Sequence, residues 1–328
     1  MTLAAEYRKV INDEALQSDL RQLVRLSIAE DLDVAVDWTT VTLIDIEQRG
    51  RCHVVPRCTG VAAGIELAPI IIDEFDADLD VSVAIQDGEL LQPGRPVATV
   101  SGSARDLLTS ERVLLNILSR LCGVATLTKQ YADAIHSSGV RLYDTRKTTP
   151  GWRRLEKYAV QCGGGHNHRT GLFDGFLIKD NHLALGRSRL DVKAQASEHA
   201  SHGDEESTLS ASEAAQRAVQ MRGARMNQLC APEIVEIEVD DLAQLEQVLS
   251  TGINIVLVDN FSIDDLRAAV AMRDRICPTV QLEASGGVTI DTIAAIAATG
   301  VDRISCGALT HQAVWLDLGM DWADGSAS

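Results

Sequence analysis

INIVLVDNFSIDDLRAAVAMRDRICPTVQLEASGGVTIDTIAAIAATGVDRISCGA, from Ile253 to Ala308, consists of three short β-branched runs separated by two helical stretches. The runs INIVLVDN, VQLEASGG and VDRISCGA end in residues with chemistry: Asp259-Asn260, Glu283 with Ser285-Gly286-Gly287, and Ser305 to Gly307. Strand–helix alternation of this kind builds a parallel sheet, closed as a barrel or open and doubly wound. Upstream the pattern recurs in VRLYDTRK (140–147), DGFLIKDN (174–181) and EIVEIEVD (233–240), which end in Arg146-Lys147, in Lys179-Asp180-Asn181 and in Glu236/Glu238. The mostly apolar runs predict strands covered on both faces. Functional residues at the carboxyl end of every strand describe the rim of a (β/α) barrel. An open doubly wound sheet concentrates them at one switch point instead.

Outside this region the pattern changes near residue 140. Residues 5–31 read as helical through Leu16, Leu20, Leu23, Val24 and Ile28, and RCHVVPRC, VAAGIELAPIIIDEF, LDVSVAIQ and RPVATVSG, between 51 and 102, read as strands and one helix. A long helix is predicted over 109–135, where Leu114, Ile117, Leu118, Leu121, Val124, Ala125 and Thr128 keep the three-four spacing of a buried face. SEHASHGDEESTLSASEAAQ (197–216) is polar and acidic, and predicts a surface loop leading into a helix; the tail ADGSAS predicts disorder.

Composition narrows the function classes. A chain of 328 residues buries a sizeable core in one large or two ordinary domains. Its N-terminus has no apolar stretch of the signal-peptide kind, and no run approaches a membrane span. The seven cysteines show no C-x-x-C spacing and an odd count, which predicts reduced thiols in a cytoplasmic protein. A formal charge of −17 repels polyanions and argues against general nucleic-acid binding.

Against that charge, residues 141–179 carry eight Arg/Lys (141, 146, 147, 153, 154, 157, 169, 179) and three acids (Asp144, Glu156, Asp174). Basic side chains gathered beside the triple glycine 163–165 and the run His166-Asn167-His168-Arg169 predict a pocket for a small, multiply anionic ligand, a phosphate or a carboxylate. His166-x-His168 also admits a metal reading, but no third ligand follows at zinc spacing.

DTRKTTPGWR, CGGGHNHRTGLFDGFLIKDNH, VEIEVD, LVDNF, LEASGG and ISCGALTH, in this order, together with SERVLLNILSRLCGVAT, resemble quinolinate phosphoribosyltransferase, the decarboxylating enzyme of NAD biosynthesis. The resemblance covers nearly the whole chain. It implies an α/β fold, an incomplete parallel (β/α) barrel plus a smaller N-terminal α/β sandwich domain. The implied boundaries are 1–138 for the sandwich with the long helix, 139–310 for the barrel with a polar insertion at about 186–230, and 311–328 for a segment returning to the N-terminal domain. The implied reaction joins quinolinate and phosphoribosyl pyrophosphate to give nicotinate mononucleotide, pyrophosphate and carbon dioxide, in a homodimer with shared sites.

Residue by residue, the resemblance assigns Arg112, Arg146 and Arg169 to the substrate carboxylates, with Arg112 reaching the partner subunit's site. On physical grounds Arg112, placed near a helix start where a cation opposes the macrodipole, is a poor structural residue; neighbouring Glu111 offsets this. His168 and Lys147 line the same pocket, and Lys179 faces both substrates. Glu238 and Asp259 match acids near the ribose and its magnesium ion, with Glu236 as a second acid. Ser285, Gly286, Gly287, Ser305 and Gly307 match phosphate-side positions, where glycine lets backbone N–H groups approach and a helix beginning near Thr289 offers its N-terminus. The role of His311 stays open. Trp152 departs from the family's usual leucine. Lys147, Lys179, Glu238 and Asp259 are the expected catalytic residues and Mg²⁺ the expected cofactor. The rival readings are a related phosphoribosyltransferase for another acid, a Schiff-base lyase using Lys147 or Lys179, and a binding protein without activity.

Overall fold

A computed structural model describes residues 5–187, 208–225 and 232–323 of the chain. In chain order the strands are β1 (Arg49–Pro56), β2 (Gly60–Val61), β3 (Leu79–Val83), β4 (Leu90–Leu91), β5 (Ala98–Ser103), β6 (Arg141–Tyr143), β7 (Phe176–Ile178), β8 (Val235–Val239), β9 (Ile255–Asp259), β10 (Gln281–Ser285), β11 (Arg303–Ser305) and β12 (Leu318–Trp322). Contacts divide the chain into two compact units. One comprises Met1–Arg8, Ala134–Tyr143 and His168–Cys306; the other comprises Lys9–Asp133, Asp144–Asn167 and Gly307–Ser328. This division differs from the boundary expected near 138. Asp144–Asn167 groups with N-terminal elements because the helix Arg153–Cys162 packs on the helix Glu14–Leu32.

In the second unit, Asp13 decides where the first helix, α1 (Glu14–Leu32), begins: its carboxylate accepts the Leu16 amide at 3.0 Å. Residues 5–12 therefore stay outside the helix, contrary to the periodicity. Leu16, Leu20 and Val24 bury the inner stripe of α1. The antiparallel sheet β12-β1-β5-β3 pairs the C-terminal strand with the first one, Cys52 facing Trp322 and Pro56 facing Leu318. The long helix runs Ala104–Ile135, five residues earlier than predicted, and every apolar position of its predicted face is buried.

The first unit holds a six-stranded, all-parallel sheet in the order β6-β11-β10-β9-β8-β7, so the first strand in sequence lies beside the last. Its register gives the two faces different characters. Leu142, Val235, Ile237, Val239, Val256, Val258, Leu282, Ala284 and Ile304 share one face, all buried, where helices such as Ile263–Ile276 and Leu242–Val248 pack. The other face carries Glu236, Glu238, Asp259, Gln281, Glu283, Ser285, Arg303, Ser305, Arg141 and Tyr143. The strands are covered on both faces, as expected, but one face is wholly apolar while the other mixes these polar groups with Leu177, Ile255 and Leu257. Of the predicted polar insertion, Ala211–Arg225 is helical; positions 188–207 and 226–231 lie outside the described residues, as do 324–328 of the tail.

Candidate active site

At the carboxyl ends of the parallel strands, alternation puts Glu238, Asp259, Ser285 and Ser305 on the polar face. Lys179, immediately after β7, makes an ion pair with Glu238 there. Asp259 accepts the side-chain amide of Asn260 at 2.7 Å. Gly286 (φ 90°) turns the chain away from β10, and a Cβ on it would lie 2.2 Å from the Asn260 side chain. Gly286 thus makes room for Asn260, a reason the phosphate-approach argument did not contain. Gly287 (φ 59°) faces open space, so only its backbone conformation calls for glycine. The helix expected near Thr289 is one short turn, Ile293–Ala297.

Beneath this rim lies a buried network of ionisable groups. His168 Nε2 stands 2.9 Å from Glu236 Oε2 and 3.4 Å from Glu283 Oε1. Tyr7 donates its hydroxyl to Glu236 at 2.7 Å, and Arg303 Nε donates to Glu283 at 2.7 Å. The Arg303 guanidinium also lies over the Tyr143 ring, 3.7 Å from its centre. Burial by itself lowers the His168 pKa; Glu236 and Glu283 outweigh it and hold it above the ordinary histidine value. For Glu236, burial pulls upward, but His168 and the Tyr7 hydrogen bond leave it below the usual carboxylate range. The Arg169 backbone N–H, 2.8 Å from Nδ1, favours the neutral ring against that pull. With Nδ1 accepting, the ring proton sits on Nε2, which is close to Glu236 Oε2 but off the geometry of a formed hydrogen bond to it.

The histidine ring is thus engaged inside the protein rather than standing open as a ligand group. The acids that a metal reading of His166-x-His168 lacked do arrive, from β8 and β10, and the donor atoms of His168, Glu236 and Glu283 lie within 4.8 Å of one another. In this cluster Tyr7 and Arg303 each occupy one oxygen of the two carboxylates, while Glu236 Oε1 and Glu283 Oε1 accept no hydrogen bond among the described residues. Arg169 is buried beside it, its guanidinium 3.4 Å from the Gly175 carbonyl.

In the other unit the DTRKTTPGW loop lines a cavity of about 650 Å³ with Lys147, Thr148, Thr149, Pro150, Trp152, Arg120, His311 and Trp315. A buried clamp shapes it. Arg120 donates to Glu156 Oε1 at 2.5 Å and to the carbonyls of Thr310 and Ala313, while Glu156 accepts the Thr149 hydroxyl at 2.8 Å and its amide at 3.1 Å. The Thr310 hydroxyl binds the Lys147 carbonyl at 2.7 Å. Lys147 is exposed, and a Cβ on Gly307 would come within 2.8 Å of its side chain, so that glycine clears its path. Trp152 and His311, 159 positions apart in sequence, therefore share a cavity with Lys147.

Several members of the basic island serve the fold. Lys157 pairs with Asp144 at zero exposure, and Asn167 donates to Asp144 at 2.7 Å. Arg141 pairs with Glu6, and Arg154 lies 3.3 Å from Asp19. Among the described residues no carboxylate pairs with Arg146 or Lys147. The triple glycine is a packing device: a Cβ on Gly163 would lie 2.4 Å from the Ala125 carbonyl, and one on Gly165 would lie 2.7 Å from Val160. Arg112 sits in the third turn of its helix, 66 % exposed, with Glu111 3.9 Å away. The macrodipole argument against a structural role does not apply at that depth.

Residues 37–122 match the N-terminal domain of the quinolinate phosphoribosyl transferase family, and residues 124–222 and 207–321 its C-terminal domain. The chain is similar to a nicotinate-nucleotide pyrophosphorylase (carboxylating) of Mycobacterium leprae, 40% identical over 92% of this chain and 96% of that one. A probable enzyme of the same name from Bacillus subtilis is 33% identical over 92% of this chain and 93% of its own. The solved nicotinate-nucleotide pyrophosphorylase of Francisella tularensis superposes with a TM-score of 0.81 at 31% identity, covering 96% of this chain and 99% of that one. The chain belongs to the quinolinate phosphoribosyl transferase family.

Proposed function

We propose that the chain transfers phosphoribosyl from phosphoribosyl pyrophosphate to the ring nitrogen of quinolinate, with loss of carbon dioxide, giving nicotinate mononucleotide and pyrophosphate. The observation that carries this reading is the register of the parallel sheet, which brings Glu238, Asp259 and Ser285 to one face at the strand ends in a chain of this family. The first strand lying beside the last supports an incomplete barrel, with its open seam between β6 and β7. The antiparallel sheet β12-β1-β5-β3 supports an N-terminal sandwich domain.

The roles follow from residue chemistry. Arg146 and Arg169 bind the two adjacent carboxylates of quinolinate, which guanidinium forks grip bidentately. His168 fixes the corner from which Arg169 extends. Lys147 and Lys179 neutralise phosphate and pyrophosphate charge. Glu238 and Asp259 hold the ribose hydroxyls and stabilise positive charge developing at its C1. Decarboxylation follows N-ribosylation, because the cationic ring nitrogen accepts the electron pair released at the neighbouring carbon. Ser285, Gly286, Gly287, Ser305 and Gly307 flank the phosphate.

Glu238 and Asp259 offer carboxylate oxygens, the donor type that suits Mg²⁺, and would hold it directly or through water. Bound there, the ion supplies positive charge against the leaving pyrophosphate. A homodimer is supported by exposed apolar side chains Val34, Trp38, Leu43 and Ile46 in one stretch, and by the exposed Arg112 as a group available to a partner's site. The described cysteines are free thiols and no described helix is long and apolar enough to cross a membrane, which supports a cytoplasmic setting.

Steady-state kinetics of Arg146→Ala test the site. Loss of a bidentate contact to a charged ligand predicts a fall in kcat/KM for quinolinate of about 100-fold, or roughly 2.7 kcal/mol. Unchanged turnover and unchanged quinolinate affinity would contradict the assignment.

A further inference from the structure

The extended arm Ala5–Tyr7 lies against the polar face of the parallel sheet, held at each residue by a different group. Arg303 donates to the Ala5 carbonyl at 3.1 Å. Glu6 accepts the Tyr143 hydroxyl at 2.8 Å and pairs with Arg141. Tyr7 is buried on Ile234 and Ile255, and its ring stacks on that of His168, with centroids 4.5 Å apart and planes tilted by 32°. Gly175 makes room for it, since a Cβ there would come within 2.6 Å of the Tyr7 ring. The Tyr7 hydroxyl then reaches Glu236 Oε2, the same oxygen that stands 2.9 Å from His168 Nε2.

We propose that Tyr7 is a positioning residue of the active site: its hydroxyl, donated to Glu236, holds that carboxylate where it takes the Nε2 proton of His168, and so fixes the His168–Arg169 corner. Four observations converge on it. Glu236 is fully buried, its other oxygen has no hydrogen-bond partner among the described residues, and the Tyr7 hydroxyl makes the formed hydrogen bond to Oε2, beside which His168 Nε2 stands, so Tyr7 sets its orientation. Glu283, the second acid near His168, is tied by Arg303 and stands farther from Nε2, at 3.4 Å. The Tyr7 hydroxyl keeps its proton, because burial, and after it the charge of Glu236, raise its pKa. Finally, the donor comes from a segment 229 residues away in sequence, anchored independently through Ala5 and Glu6. The inference rests on the functional reading above, in which Arg169 binds a quinolinate carboxylate.

Tyr7→Phe in the full chain tests it, since the ring stack stays and only the donor goes. The KM for quinolinate rises about tenfold, the weight of one hydrogen bond to a buried charged group, while the KM for phosphoribosyl pyrophosphate stays at the wild-type value. In nitrogen-15 spectra the Nε2–H resonance of His168 shifts and exchanges faster with water. An unmoved His168 resonance, or KM values that rise equally for both substrates, would overturn the proposal, since a purely structural tyrosine gives either result. If the wild-type protein itself does not use quinolinate, the functional reading fails separately, and the His168 resonance alone decides the role of Tyr7.

Discussion

Asp144 opens the basic motif DTRK yet faces inward: it is fully buried, paired with Lys157 and hydrogen-bonded by Asn167. Removing one partner of a buried pair strands the other charge in low dielectric, so Asp144→Ala lowers stability by about 3–5 kcal/mol, read from the urea midpoint. An unchanged midpoint would mean that Lys157 finds water or another partner. The same residues show the limit of reading charge from sequence. Arg146, Lys147 and Lys157 look alike in a charge tally, but Lys157 meets an acid thirteen positions earlier, whereas among the described residues neither Arg146 nor Lys147 pairs with one. Only packing of the helix Arg153–Cys162 separates the two kinds. Glycines divide in the same way. Gly163 and Gly165 serve close approach within the fold, although beside basic residues they suggested an anion cradle.

Elements were legible where local pattern decides them. The six parallel strands fall within the runs that β-branched composition marked, and Glu238, Asp259, Ser285 and Ser305 stand at their ends, but Glu236 and Glu283, expected there too, lie inside their strands and are buried. Boundaries set by a single side chain were not: Asp13 starts α1 later than the apolar periodicity implied, and the long helix begins at Ala104, which moves Arg112 away from any helix end. Contacts between elements carry a pH signature that periodicity cannot contain. Arg21 and Arg25 of α1 both donate to Glu74, and the Arg21 hydrogen bond, followed by that of Arg25, holds its carboxyl below the usual glutamate range. A depressed carboxylate stabilises the fold above its unfolded-state pKa, and that contribution disappears as pH falls through the folded value. Thermal unfolding of wild type and Glu74→Gln should therefore differ most above the usual glutamate range and converge as pH falls below it, with salt shrinking the gap. A gap that persists in acid would assign the contact to packing instead.

For the whole molecule, the ordered motifs were enough to indicate the family, because they span nearly the full chain, and the family match bears this out. What they could not indicate is which buried groups stand behind the motif residues. Tyr7 and Arg303 carry no local signature, and they meet Glu236 and Glu283 only through sheet register and the return of the N-terminal arm. The most direct test is a coupled assay of the purified protein with phosphoribosyl pyrophosphate and Mg²⁺, following quinolinate loss and nicotinate mononucleotide formation, with nicotinate offered in parallel. The account predicts turnover of quinolinate and none of nicotinate, since only quinolinate has the second carboxylate that the arginines bind and that leaves as carbon dioxide. Folded protein that leaves quinolinate untouched, or uses nicotinate equally well, would contradict it.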